Sequence, residues 1–170
     1  FFVIIYCINL SSAHAEIFYI DIDKIINQTI VGNHINNKFN DLKKKNDIKN
    51  LENKRELKKR EETLIAQKKI LKDEDFNNKL NIFQKDVNDF NRISLETNQD
   101  IQNKLMNDKS NFLKLIEPIL LDYVAENNIN YLLQKKYIIV GHNDLNKTQE
   151  LIKIINKKIN ISNFNDSVSK

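Results

Sequence analysis

The feature that most restricts this chain is a shortage of backbone punctuation. Between Val31 and Asn127 there is one glycine, Gly32, and one proline, Pro118; the whole 170-residue sequence holds two glycines and that single proline. A sheet-rich domain needs far more turn residues than this. Lys, Glu, Asp, Asn, Leu and Ile fill the interval instead, which reads as long helix.

Within it, apolar residues recur near heptad spacing in two sets. The first is Val31, Ile35, Phe39 and Leu42, thinning through Leu51, Leu57, Leu64 and Leu71. The second is Phe76, Leu80, Phe83, Val87 and Phe90, then Ile101, Leu105, Phe112, Ile116, Ile119 and Tyr123. A stripe of this kind argues coiled coil. One straight helix of about 95 residues would reach roughly 140 Å, so an antiparallel hairpin is the economical solution, with Phe83, Phe90 and Phe112 in its core. Its turn is expected near 73–79, at the acidic and Asn-rich Asp73-Glu74-Asp75-Phe76-Asn77-Asn78. Residues 43–72 hold 12 Lys/Arg against 5 Asp/Glu, whereas residues 73–108 hold 4 against 8. Folding back therefore lays a basic helix on an acidic one, each exposed pair adding about a few tenths of a kcal/mol. The stripe is thin over 44–63. A bendable arm and simple sequence drift account for that equally well.

The flanks have a different character. Phe1–Leu10 is apolar and uncharged, too short to cross a bilayer, and is followed by Ala13-His14-Ala15. This reads as a secretory signal peptide cut after Ala15. It has no initiator Met and no basic start, so the leader is expected to begin further upstream. Cys7, the one cysteine, lies inside it. The mature chain would then need no disulfide and have no thiolate metal site or cysteine nucleophile, which suits a bacterial periplasm. No later segment is apolar enough to span a membrane, so a soluble mature protein is expected.

After the leader, Ile17-Phe18-Tyr19-Ile20-Asp21-Ile22 has the composition of a strand. At the far end Ile129–Leu133 reads as a second strand, Gln134-Lys135-Lys136 as a turn, and Tyr137-Ile138-Ile139-Val140 as a third strand closed by Gly141-His142-Asn143. Thr148 can cap a helix with the stripe Leu151, Ile152, Ile155, Ile159, and 162–170 reads as a frayed tail. The expected fold is α+β: a discontinuous body of 16–30 and 128–161, with a helical arm, 31–127, inserted between strand one and strands two and three. Three short strands are marginal alone and have open edges, and a lone hairpin cannot cover its own stripes. Both features call for an oligomer assembled through the body. Its core is expected from Ile17, Phe18, Tyr19, Ile20, Ile22, Tyr131, Leu132, Leu133, Ile138, Ile139 and Val140.

Several segments together resemble the OmpH-like family. They are Tyr19-Ile20-Asp21-Ile22-Asp23-Lys24-Ile25-Ile26, Gly32 at the start of the long helix, Pro118-Ile119-Leu120-Leu121-Asp122-Tyr123-Val124-Ala125, Asn128-Ile129-Asn130-Tyr131-Leu132-Leu133, and Thr148-Gln149-Glu150-Leu151-Ile152. They cover nearly the whole mature chain in order. The resemblance implies a homotrimer in which strands of three subunits form a barrel-like body and three helical hairpins hang from it. The cavity between the arms would hold unfolded outer-membrane β-barrel proteins without nucleotide. The chain departs from the pattern at Asp23, where the family usually has Gln, and at Asn128, where it has Gly; Asn too can adopt a left-handed conformation. The family's arm tips are strongly basic, but here Lys68, Lys69, Lys72 and Lys79 are offset by Asp73, Glu74 and Asp75, which weakens the case for membrane or lipopolysaccharide contact.

The functional expectation is an ATP-independent periplasmic holdase. Lys43, Lys44, Lys45, Lys49, Lys54, Arg55, Lys58, Lys59 and Arg60 are the candidates for steering acidic clients; a solvated helix face is the plainer reading of the same residues. A structural coiled-coil scaffold of the envelope and a membrane-surface binder are the alternatives. No enzyme is expected. Two glycines allow neither a P-loop nor a dinucleotide fingerprint, His34 and His142 stand alone, and Asp23 is better read as a helix cap than as half of a carboxylate pair with Asp21. No catalytic residue, cofactor, metal or nucleic-acid partner is expected. Pro118 should kink its helix or mark where arm meets body.

Overall fold

A computed structural model describes residues 16–168, so the expected signal peptide lies outside the described residues. Strand β1 (Ile17–Ile20) leads into a short helix α1 (Ile22–Gln28), and two long helices follow: α2 (Ile30–Gln67) and α3 (Asp73–Glu126). Strand β2 (Tyr131–Gln134), two single 3-10 turns (Lys135–Tyr137 and Asn143–Leu145), and helices α4 (Thr148–Lys158) and α5 (Ile161–Val168) complete the chain.

The two strands pair in parallel, Ile17 opposite Tyr131 and Ile20 opposite Gln134. Their start is stapled across 114 residues: the Glu16 N–H donates to Asn130 Oδ1 at 2.8 Å, and the Asn130 N–H to the Glu16 carbonyl at 2.9 Å. The expected third strand does not form. The Lys135–Tyr137 turn, closed by Ile138 N–H donating to Lys135 O, swings the chain off the sheet. The free edge of β1 is met instead by Asn146, through an isolated bridge to Tyr19, and by Lys147, whose N–H donates to Tyr19 O at 2.9 Å.

Local signals fix the junctions. Asp21, not Asp23, caps α1: its carboxylate accepts from Lys24 N–H at 2.9 Å, while Asp23 sits exposed in the first turn. Thr29 is the one residue between α1 and α2, and its hydroxyl accepts from Gly32 N–H. Asn128, at φ 53°, ends α3. The bonds Ile129 N–H to Val124 O and Asn128 N–H to Ala125 O form a Schellman arrangement there. Thr148 opens α4 but does not cap it from outside. Asn146 Oδ1 accepts from its N–H and its hydroxyl, and the Thr148 oxygen accepts from Asp21 N–H at 2.9 Å.

The hairpin turn falls at residues 68–72, earlier than expected, and Asp73, Glu74 and Asp75 form the first turn of α3. The reason is electrostatic: carboxylates are stabilised at a helix N-terminus, where backbone N–H groups carry partial positive charge, so the acidic run starts the helix. The two helices run in opposite directions. Gln67 meets Lys79 beside the turn, and Arg60–Asp86, Asn46–Asn98 and Lys38–Asp108 follow in order toward the body. Pro118 lies inside α3 between Ile116 and Ile119, both buried in the body core, so it marks the end of α3 that enters the body.

That core gathers Ile20, Ile25, Ile26, Val31, Ile35, Phe112, Ile116, Ile119, Tyr123 and Ile129 with the α4 stripe Leu151, Ile152, Ile155 and Ile159. Through residue 168 the tail is not frayed. Residues 161–168 are helical, and Phe164 is 1% exposed in the same core.

Candidate functional site

The described residues hold no group of three His, Cys, Asp or Glu placed for a metal ion. His142 Nδ1 lies 3.1 Å from Asp144, both on the surface. Asp21 is engaged as a cap and lies 3.8 Å from Lys135. No described helix is long and apolar enough to cross a membrane. Two other regions are unusual: one edge of the body and the middle of the arm.

The residues expected to form the body core divide in two. Tyr19 and Ile20 are buried, and Phe18, Ile22, Leu132 and Ile138 are partly buried. Ile17, Tyr131, Leu133, Ile139 and Val140 are exposed, Ile139 completely (100%) and Val140 at 89%. Tyr137 joins them on the surface. Alternation along the strands explains part of this, since successive side chains point to opposite faces. The rest follows from the lost third strand, which leaves Ile138, Ile139 and Val140 in irregular backbone. Beside this edge lies a depression of about 560 Å³ lined by Asp21, Ile22, Ile26, Leu113, Lys135 and Ile138 among others.

In the arm, the heptad column Phe39, Asn46, Asn53, Arg60 faces a column on α3 that passes Phe83, Phe90 and Thr97. Where both turn polar the helices fail to close. An open groove of about 390 Å³ remains, lined by Leu57, Phe90 and Ile93 together with Asn46, Asn53, Lys49, Arg60 and Asp89. Asparagine is shorter than leucine, and its amide must be hydrogen-bonded when buried. Asn46 Nδ2 meets this need by donating to Asn98 Oδ1 at 2.9 Å. Of the expected stripe, Leu64 is buried and Phe83, Phe90 and Leu105 are partly buried, but Leu51 is exposed.

All nine basic candidates, Lys43, Lys44, Lys45, Lys49, Lys54, Arg55, Lys58, Lys59 and Arg60, lie on the surface of α2. Arg60 alone among them is ion-paired, to Asp86. The expected neutralisation of the basic helix by the acidic one is therefore slight. Besides Arg60–Asp86 the only ion pair between the two long helices, among the described residues, is Lys38–Asp108 at 3.6 Å. Asp89 and Glu96 pair instead with Arg92 on their own helix, and Asp122 with Lys158 of α4. Exposed apolar residues are interspersed along both helices: Ile48, Leu51, Ile65, Ile82, Leu95 and Met106. At the turn, Ile70 is 84% exposed between Lys69 and Lys72.

The sequence profile of the outer membrane protein (OmpH-like) family matches residues 16–155, from the first strand through most of α4. The chain belongs to the OmpH-like family. A solved structure agrees in fold. A Caulobacter crescentus CB15 protein described as an OmpH-like outer membrane chaperone aligns with a TM-score of 0.70 at 12% identity, over 86% of this chain and 87% of that one. No curated protein matches significantly. The OmpH-like match encloses both unusual regions, the body edge and the arm groove, and stops short of α5.

Sequence reasoning missed two buried polar residues of this OmpH-like chain's arm, Asn46 and Asp108. Asn46 could have been found, because it continues the heptad column of Phe39. Asp108 is buried in the position of the Val87 and Ile101 column, and the Lys38 opposite it could not have been paired with it before the register was known.

Proposed function

We propose that this protein is a periplasmic holdase chaperone of the OmpH-like family. In this reading it is exported by a leader cut after Ala15, assembles as a homotrimer through its body, and shelters unfolded outer-membrane β-barrel proteins between its helical arms without ATP. The observation that carries the reading is the uncovered apolar edge, Ile17, Tyr131, Leu133, Tyr137, Ile139 and Val140, on a body that also bears a long two-helix arm. Side chains this apolar in open solvent cost free energy at about 25 cal/mol per Å², and an open sheet edge invites pairing. Further copies of the chain satisfy both. The arm then supplies a client surface. Its exposed Ile, Leu and Met residues give non-directional contacts that many sequences can share. Eight unpaired basic residues supply a positive field that speeds encounter with acidic chains. Binding the unfolded chain alone holds it from aggregation by mass action.

A second reading has its own observation. Ile70, with Lys68, Lys69 and Lys72 around it, is suited to touching an anionic membrane or lipopolysaccharide surface at the arm tip.

The test is the light-scattering mass of residues 16–170, alone and after diluting a urea-unfolded outer-membrane barrel into it. The expected result is a trimer that keeps the barrel soluble at fixed stoichiometry, and a smaller species for Ile139→Asp with Val140→Asp. A monomer or dimer that lets the barrel precipitate sinks the holdase reading and points to an envelope scaffold. Binding to anionic vesicles that is lost in Ile70→Ser would favour the second reading.

A further inference from the structure

The chain continues past the end of the family match at residue 155, and α5 is built to dock. Its start is closed reciprocally. Asn160 N–H donates to Asn163 Oδ1 at 3.1 Å, and Asn163 N–H donates to Asn160 Oδ1 at 2.9 Å. This is the logic of a capping box with asparagine at both positions. Phe164 then meets Phe112 of α3 edge to face, with ring centroids 6.5 Å apart and planes at 83°. The helix touches α2 as well as α3. Eight residues do not hold a helix in water unaided, so its order comes from this seat.

We propose that α5 is a strap that ties the roots of α2 and α3 together and so sets the direction and spread of the arm, making the carboxy-terminal segment its control point. The arm acts as a lever. From Phe112 to the turn, α3 runs for about 40 residues, roughly 60 Å at 1.5 Å per residue. A change of about 5° at the root therefore moves the tip by roughly 5 Å. Beyond Phe112 the seam is mostly half-buried or polar: Phe39, Leu42 and Leu105, the Lys38–Asp108 and Arg60–Asp86 pairs, the Asn46–Asn98 bond and the open groove, with Leu64 buried and the Gln67–Lys79 bond near the turn. The body has its own closure, since α4 buries Leu151, Ile152 and Ile155 against it. Undocking α5 thus loosens the arm and leaves the sheet in place.

The experiment uses the full chain with Cys7→Ser and spin labels at Lys69→Cys and Lys153→Cys, diluted into unlabelled protein so that distances within one chain are read. Two variants are compared with it: Phe164→Ala, and Asn160→Ala with Asn163→Ala, which removes no core side chain. The expected result in both is a tip-to-body distance distribution at least twice as wide. Amide exchange over 31–39 and 108–116 should rise tenfold or more, with 17–26 unchanged. Unchanged width and exchange in variants that keep their helix content overturns the proposal. A uniform rise that includes 17–26 also overturns it, because α5 would then be ordinary core. If Phe164→Ala fails to fold, the capping pair decides. No client enters the measurement, so the outcome is independent of the holdase reading.

Discussion

Asn46 and Asn98 offer a clean test of whether the middle of the arm is held by a polar contact. Asn46 is 8% exposed, and its amide donates to Asn98, whose own side chain stands in solvent. Asn98→Ala removes the acceptor and strands the amide. A stranded buried donor costs about 1–3 kcal/mol; the open rim of the groove admits water, so the loss belongs near 1 kcal/mol. Asn46→Leu acts oppositely. It continues the column of Phe39 with an apolar side chain at a position that is already nearly buried, and half-burial of a leucine contributes about 1 kcal/mol. In the Asn46→Leu background Asn98→Ala should cost almost nothing, since no partner remains. Urea unfolding by far-UV circular dichroism on all four proteins gives the coupling, expected near 1 kcal/mol. Amide exchange over 42–50 and 94–102 checks that the loss is local. A cost for Asn98→Ala below about 0.3 kcal/mol in both backgrounds would refute the argument and leave the pair a bystander.

Other consequences are as direct. In Gly32→Ala the new Cβ collides with the Ile26 carbonyl oxygen where α1 crosses α2. The melting temperature should fall by the equivalent of about 3 kcal/mol, despite alanine's better helix propensity. Tyr123 is buried and its hydroxyl is bonded to Glu150, and together these push its pKa up to about 12 from 10.0. A raised folded pKa gives stability that is complete below pH 10 and lost as pH climbs toward 12. Tyr123→Phe should therefore flatten the unfolding midpoint across that window in an alkaline titration. Asn128→Ala should cost about 1 kcal/mol in chemical denaturation, because at φ 53° alanine keeps the Cβ but loses the short polar side chain that lets asparagine adopt the left-handed region, whereas Asn128→Gly should cost nothing.

Periodicity made the arm readable before any coordinates, because Phe39, Leu42, Phe112 and Ile116 keep a helical spacing that only a helix can use. It also placed Leu151, Ile152, Ile155 and Ile159 on one buried face. Segments whose state depends on partners were harder. Tyr137–Val140 has strand composition, but a strand exists only where another backbone offers hydrogen bonds, and in one chain none is in reach. Asp73-Glu74-Asp75 resembled a turn by composition, yet carboxylates serve a helix start equally well. The tail looked polar because one phenylalanine was outweighed by asparagine and serine; burial of Phe164 needed only that one. The groove in the arm was visible as a thin stripe, but its depth depends on which residues of α3 lie opposite, and register is not local information.

The body's two strands sit 114 residues apart, and that separation imposes an order on how the molecule comes into being. As the chain emerges from its N-terminus, β1 must wait, unpaired, until the whole arm has followed. The two long helices can coil and find each other through contacts near the 68–72 turn, which are close in sequence and fast to form. The sheet closes only after both long helices have been made. Such a chain has its arm before it has a closed body, and that order is set by chronology rather than by any dedicated contact.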